Sequence, residues 1–466
     1  MHKLYYQPEG HWFGDCMPFG KNGEFYLFHQ RDTRNPAPLD KGQPFGWSLV
    51  TTSDFVNYKD FGETLQKGNY DAQDQYIYAG SIFEADGQYH AFYTGFNREY
   101  ANLGKASQVL MHATSKDLLH WDKSAEKLLL TPQPGYDKDD WRDPFVIWNE
   151  EQQEYLLILG ARKIDGKKLQ NGCTVYFTSK DLNSWEFHGD FWAPDLFTMH
   201  EMPDLFRIGD WWYLITTEYS DKSKMVYRMS KSLKGPWIAP PDDAFDGRAY
   251  YAGRTYQINN QRILFGWVPT KENNDDLGNF QWGGTFMAHE IFQRLDGSLG
   301  VKMPDTIWNA FANRTPINNP LTELATIDKK KEIELENNCG DIFSFEANIM
   351  FTEGTRSFAL KVYENEETGE AYEFKFNIAE QHLVFDKAPN QPWFQCMNKG
   401  LDRPLSLKAG EKYNLRLIVD DTIATIYING TALNARMYKH PGDSLGIYVV
   451  DGTLNIENAT IAKGLQ

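Results

Sequence analysis

Three carboxylates stand in similar local settings far apart in the chain: Gly14-Asp15-Cys16-Met17-Pro18-Phe19, Arg142-Asp143-Pro144-Phe145 and Glu201-Met202-Pro203-Asp204-Leu205-Phe206. Each couples an acid to a nearby proline and phenylalanine, where a turn feeds an apolar strand. Taken singly, Asp15 reads as a turn residue, Glu201 as a solvated loop residue and Asp143 as half of a surface ion pair with Arg142. The repeated context is what points to chemistry. Two or three carboxylates aimed at one pocket are the equipment of glycoside hydrolysis, where one acid protonates the leaving oxygen and another faces the anomeric carbon.

Something must bring three such distant acids together, and an internal repeat supplies it. Thr52-Ser53-Asp54-Phe55-Val56-Asn57-Tyr58 recurs as Ser115-Lys116-Asp117-Leu118-Leu119-His120-Trp121 and as Ser179-Lys180-Asp181-Leu182-Asn183-Ser184-Trp185, with the aspartates 63 and 64 residues apart. A weaker copy is Ser230-Lys231-Ser232-Leu233-Lys234-Gly235-Pro236-Trp237. Short alternating strands with tight turns, such as those around Asp86-Gly87 and Gly209-Asp210, fill the intervals. Long periods of four short strands read as propeller blades. A fifth strand-rich stretch runs from Ile263 to Ser298, so the sequence predicts an all-β protein: a five-bladed β-propeller over residues 1–314. A linker over 315–325 and a C-terminal β-sandwich over 326–466 follow, marked by a shift in composition. Thirteen of the 14 tryptophans precede residue 320, and evenly alternating strands resume at Ile342.

Bulk properties exclude several classes. The 466 residues, 41% hydrophobic and 15% aromatic, are ample for buried cores. A net charge of −17 argues against a nucleic-acid partner. No apolar run reaches the ~18 residues of a membrane span, and the opening residues lack the apolar core of a signal peptide, so a cytoplasmic protein without a membrane partner is predicted. Cys16, Cys173, Cys339 and Cys396 show no paired spacing and read as reduced thiols. The histidines show no ligand spacing, so no metal and no cofactor is proposed. His11, His29, His200 and His289 read as local hydrogen-bonding residues.

The motifs also resemble a known family. Tyr5-Tyr6-Gln7-Pro8-Glu9-Gly10-His11-Trp12-Phe13-Gly14-Asp15, Phe25-Tyr26-Leu27-Phe28-His29-Gln30 with Trp47, Tyr78-Ala79-Gly80-Ser81, Trp141-Arg142-Asp143-Pro144 and Glu201-Met202-Pro203-Asp204-Leu205 resemble the ordered motifs of glycoside hydrolase family 32, the β-fructosidases. The resemblance covers the whole chain and implies a propeller joined to a sandwich. It implies Asp15 as nucleophile, Glu201 as general acid/base and Asp143 as a transition-state stabiliser holding sugar hydroxyls. Gln30, Trp47, Tyr78 and Arg142 would line the sugar pocket. The chain departs from the family pattern where Gly14 replaces the usual Asn, Cys16-Met17-Pro18 replaces Pro-Asn-Gly, and Met202 replaces Cys. Ala249 stands where the family often has Asp, with Asp246 nearby.

The resemblance thus implies a retaining hydrolase acting on sucrose or small fructo-oligosaccharides. Retention needs carboxyl groups about 5–5.5 Å apart, a Glu201 held protonated by its neighbours, and an ionised Asp15 receiving several hydrogen bonds. Two alternatives are an inverting arabinanase or xylosidase of the family 43 propellers and a non-catalytic carbohydrate-binding propeller. Most aromatics read as blade packing, with Trp47 and then Trp282 as candidate stacking platforms. The sandwich reads as a brace and a possible contact between copies of the chain.

Overall fold

The computed structural model describes residues 2–33, 43–123, 129–167, 169–219, 223–317, 324–325, 330–390 and 398–466. Trp393, Cys396 and the 318–323 part of the linker lie outside them. The architecture is all-β; the helices among the described residues are one short α-helix, Asp305–Asn309, and a 3-10 turn at Glu272–Asn274. No helix among the described residues is long and apolar enough to cross a membrane.

Five antiparallel blades follow one another. Blade 1 comprises Trp12–Lys21, Glu24–Asp32, Trp47–Thr52 and Lys59–Leu65. Blade 2 comprises Tyr76–Ala85, Gln88–Phe96, Gln108–Ser115 and Trp121–Asp122. Blade 3 comprises Tyr136–Asn149, Glu154–Lys163, Gly172–Ser179 and Glu186–Trp192. Blade 4 has Glu201–Ile208, Trp211–Thr217 and Met225–Ser230, with single bridges to Ile238 and Ala244 in place of a fourth strand. Blade 5 comprises Tyr251–Ile258, Gln261–Lys271, Phe280–Gln293 and Leu299–Lys302. The first strand of each blade packs against the first strands of its two neighbours, which closes a ring around one axis. Pairing of Phe13 with Gly284 joins blade 1 to blade 5.

The sequence repeat is the outer hairpin of blades 1 to 3, and its three copies share one bonding pattern. In blade 3, Ser179 Oγ accepts from the N–H groups of Asp181 and Leu182, while Asp181 Oδ1 accepts from those of Asn183 and Ser184. Ser115 with Asp117 and Thr52 with Asp54 repeat it. These bonds satisfy a turn that turns Phe55, Leu118 and Leu182 into left-handed backbone (φ 60°, 66° and 62°) and drives each apolar side chain inward. The strain of that conformation is offset by the burial. The Ser230 copy keeps only the serine bonds and puts its positive φ at Gly235.

The sandwich sets a seven-stranded sheet against a six-stranded one. It does not begin cleanly after the propeller. Thr315 and Pro316 pair with Ile461 and Thr460, so the start of the predicted linker is sewn to the last sandwich strand. From the other end, the N–H groups of Lys3, Leu4 and Tyr5 all donate to the Asp420 carboxylate of the sandwich, at 2.9–3.0 Å. Asp246 likewise holds the two parts together: it accepts from Asn434 N and Nδ2, each at 2.8 Å, and pairs with His289 at 3.0 Å. One continuous apolar core runs from blade 1 through blade 5 into the sandwich.

Candidate active site

Each of the five inner strands carries one extra residue relative to its neighbour, at the same level. The register slips between Phe13 and Cys16, Tyr78 and Gly80, Arg142 and Phe145, Glu201 and Asp204, and Tyr251 and Arg254. A bulge bends its strand and re-aims a side chain, and five at one height aim theirs at the axis. Asp143, Met202 and Ala252 take positive φ there (64°, 51° and 53°), a cost that a packed framework must hold in place. Pro144 and Pro203, which lack an N–H for the ladder, sit inside two of the bulges. The three look-alike acidic settings of the sequence are therefore the bulges of blades 1, 3 and 4.

Asp15, Asp143 and Glu201 converge. Met202 N–H donates to Asp143 Oδ2 at 3.0 Å, tying the blade 3 acid to the blade 4 bulge. Arg142 Nη2 donates to Glu201 Oε1 at 2.9 Å, and its Nη1 donates to Asp140 Oδ1 at 2.7 Å. Tyr251 O–H donates to Glu201 Oε2. Trp267 Nε1–H donates to Asp15 Oδ1 at 3.2 Å. Below the acids lies Arg254, 0% exposed, whose guanidinium donates to the carbonyls of Gly80, Asp143 and Pro144.

The electrostatics follow from burial and like charge. Burial first, then the charges of Asp143 and Glu201, push the Asp15 carboxyl well above the usual aspartate range, against the Trp267 hydrogen bond and Arg254. Asp143 is also raised by burial, with Arg142 opposing. Burial pulls Arg254 down to about 10. The Tyr251 phenol is driven up by burial and by Glu201, so it remains an O–H donor. Where the sequence led us to expect an ionised Asp15 receiving several hydrogen bonds, the bond described comes from Trp267, and burial and like charge favour its protonated form.

Four pocket residues were predicted alongside the acids. Arg142 is at the centre, as described. Tyr78 is half-buried, stacked on Phe96 at 4.6 Å, and close enough for Arg142, Asp143 and Asp15 to influence its phenol. Gln30 is buried and spends its Nε2 on Ile77 O at 3.2 Å. Trp47 is a correction: it is 0% exposed, and its indole N–H goes to Tyr78 O at 3.0 Å, so it supports the Tyr78 strand and offers no face to a sugar. Trp282, the weaker candidate platform, is 38% exposed and lines a cavity with Tyr251 and Trp267. Asp246, flagged beside the tyrosine pair, serves the junction with the sandwich. Tyr251, Trp267 and Arg254 were not singled out; the only sequence signal was the Tyr250-Tyr251 pair. His29 and His200 are buried, bonded to Leu27 O and Thr174 Oγ1, and pushed down to about 3 by burial.

Beside Tyr251 and Trp267 opens a cavity of about 180 Å³, also lined by Trp282, Phe280, Arg248 and Gln281. A larger cavity of about 460 Å³ lies towards the far ends of the inner strands, walled by Phe19, Phe83, Phe145 and Phe206, and includes none of the three acids. Among the described residues no three His, Cys, Asp or Glu side chains are grouped to hold a metal ion.

A five-bladed ring with three acids converging on its axis, joined to a sandwich, is the frame of a propeller glycoside hydrolase. Residues 5–292 match the Glycosyl hydrolases family 32 N-terminal domain and residues 317–463 match the Glycosyl hydrolases family 32 C terminal domain; the chain belongs to that family. This sets aside the family 43 alternative. The chain is 22% identical to sucrose:sucrose 1-fructosyltransferase of Festuca arundinacea, over 98% of this chain and 77% of that protein. It is 21% identical to sucrose-6-phosphate hydrolase of Escherichia coli, over 94% and 90%. In structure it is similar to sucrose-6-phosphate hydrolase of Lactobacillus gasseri, with a TM-score of 0.79, 19% identity and 100% and 93% of the two chains covered. Fructan 1-exohydrolase IIa of Cichorium intybus superposes with a TM-score of 0.78 at 16% identity, over 100% and 97%.

Proposed function

We propose that this protein is a retaining β-fructofuranosidase that releases fructose from sucrose or small fructo-oligosaccharides. Asp15 is the nucleophile, Glu201 the general acid/base and Asp143 the stabiliser of the sugar. The observation that carries the reading is the convergence of these acids, with separate aromatic donors on Asp15 and Glu201. Relatives named for sucrose, sucrose 6-phosphate, raffinose and levan support the substrate class.

Burial, and then the charges of Asp143 and Glu201, favour a proton on Asp15. The reactive arrangement has that proton on Glu201. Ionised Asp15 then attacks the anomeric carbon while Glu201 gives its proton to the leaving oxygen, forming a covalent fructosyl-enzyme. Water, deprotonated by Glu201, cleaves that ester and returns both acids to their starting forms. Arg142 and Tyr251 fix the Glu201 carboxyl throughout, and Arg254 supplies positive charge beneath the group. The sandwich is a brace, as its bonds to residues 3–5 and to Asp246, and those of Tyr372, Lys387 and Tyr438 to Asp276, favour.

The test is incubation with sucrose, sucrose 6-phosphate, kestose, inulin, levan and arabinan, with identification of the released sugars and the anomer first formed. Fructose of retained configuration is the outcome that supports the reading. Asp15→Asn should cut turnover by about 10³-fold or more. Failure of the wild-type protein to release fructose from any of them, or full activity of Asp15→Asn, would overturn it.

A further inference from the structure

Gly14, next to Asp15, carries no unusual backbone angle that would call for glycine. Space is what calls for it. A Cβ at position 14 would lie 2.3 Å from Cη2 and 2.8 Å from Cζ2 of Trp282, so the six-membered ring of that indole rests directly on the nucleophile's strand. Trp282 is held there from two sides. It stacks parallel to Phe45 (6.3 Å, 11°) and meets Trp267 edge-on (5.7 Å, 70°), the residue whose N–H holds Asp15. Phe45 stacks in turn on Tyr78 (6.2 Å, 23°), and Tyr78 on Phe96 (4.6 Å, 18°). A row of flat rings thus runs beside the strand of Asp15, while Arg142, Asp140, Tyr251 and Glu201 form a separate polar group linked by hydrogen bonds.

We infer that Gly14 and Trp282 form a coupled pair that sets substrate specificity. The indole takes the space a side chain beside the nucleophile would fill, so the bound furanose is gripped on that side by its C–H surface and not by a hydrogen bond. This rests on the reading of the cleft as a fructoside site. It selects fructofuranosides by the flatness of the ring face turned to Trp282 and leaves hydroxyl recognition to the Arg142 side.

Gly14→Ala, Trp282→Ala, Trp282→Phe and the Gly14→Ala/Trp282→Ala double variant decide the matter. Near-UV circular dichroism of the unliganded proteins reads the Trp267–Trp282 contact without any substrate; Gly14→Ala should change that signal as Trp282→Ala does. With sucrose, or whichever panel sugar yields fructose, Trp282→Ala and Gly14→Ala should each raise KM at least about fivefold with a smaller change in kcat. Trp282→Phe should keep most of the affinity. The double variant should be no worse than Trp282→Ala alone, because the clash has gone with the ring. A Gly14→Ala protein with an unchanged dichroic signal, or additive losses in the double variant, would overturn the pairing. A dichroic signal changed by Gly14→Ala, together with a wild-type protein that cleaves no fructoside, would instead overturn the fructoside reading while leaving the contact standing.

Discussion

Tyr251 and Trp267 are partners across the first hairpin of blade 5, their rings 5.2 Å apart, and each gives its one donor to a different acid: Tyr251 to Glu201, Trp267 to Asp15. One hairpin therefore fixes the spacing of two carboxyls that arrive from blades 1 and 4. Substitutions in this pair separate the two acids experimentally.

Trp267→Phe removes the hydrogen bond that holds the Asp15 pKa down. That pKa, already well above the usual range, rises further. Because Asp15 attacks as the anion, kcat/KM falls as pH drops through its pKa, so the acid limb of the profile should move to higher pH. Measuring kcat/KM from pH 4 to 9 checks this; an unmoved acid limb would detach Asp15 from it.

Tyr251→Phe keeps the ring packed against Trp267 and deletes the donor to Glu201. A hydrogen bond to a charged group is worth roughly 1.5–3 kcal/mol, so kcat should fall by about 10–100-fold with little change in Tm. Loss of fold in place of rate would show that the hydroxyl serves packing.

Asp15→Asn should stabilise the protein at neutral pH. A carboxyl whose folded pKa lies above its unfolded value costs nothing below about pH 4, where both states are protonated. The cost grows as pH rises from there to the folded value and is constant above it. Asparagine never bears it. The variant's Tm advantage should be absent at about pH 4 and grow as pH rises towards 7. Differential scanning across that range reads it directly.

Asp276→Asn tests the brace. Asp276 sits on the loop leading into the strand of Trp282 and accepts from Tyr372 O–H (2.6 Å), Tyr438 N–H (2.8 Å) and Lys387 Nζ (3.0 Å), all in the sandwich. Neutralising it leaves Lys387 part-buried without its charge partner, a loss of roughly 2–4 kcal/mol. Tm should fall, and KM should rise more than kcat falls, because the loop positions the platform and not the acids.

How much of this was legible in the sequence depended on how local each feature is. The Ser179-Lys180-Asp181-Leu182 turn and its copies are made by side chains two or three residues from the N–H groups they bind, so the pattern could be read directly. Asp15, Asp143 and Glu201 were legible through their repeated setting. The ring of bulges was not: Pro144 and Pro203 mark two of them, while those at Gly14, Ala79 and Ala252 carry no shared residue. Trp47 was misread because an indole looks the same in sequence whether it faces a sugar or a neighbouring strand. Trp267 and Arg254 hydrogen-bond to site partners more than a hundred residues away, a separation that no local pattern encodes.

The carboxylate of Asp420, which gathers the N–H groups of residues 3 to 5, has a consequence for assembly. The N–H groups of residues 3 to 5 have no final partner until Asp420, more than four hundred residues further along, has been made. Closure of the ring by Phe13 and Gly284 waits for roughly 270 residues. Blades 2 to 4, each built from a contiguous stretch of about 45 to 60 residues, can form as they emerge, whereas the strand of Asp15 meets blade 5 only once Gly284 has been made. The ring that gathers the three acids is thus closed by its last blade.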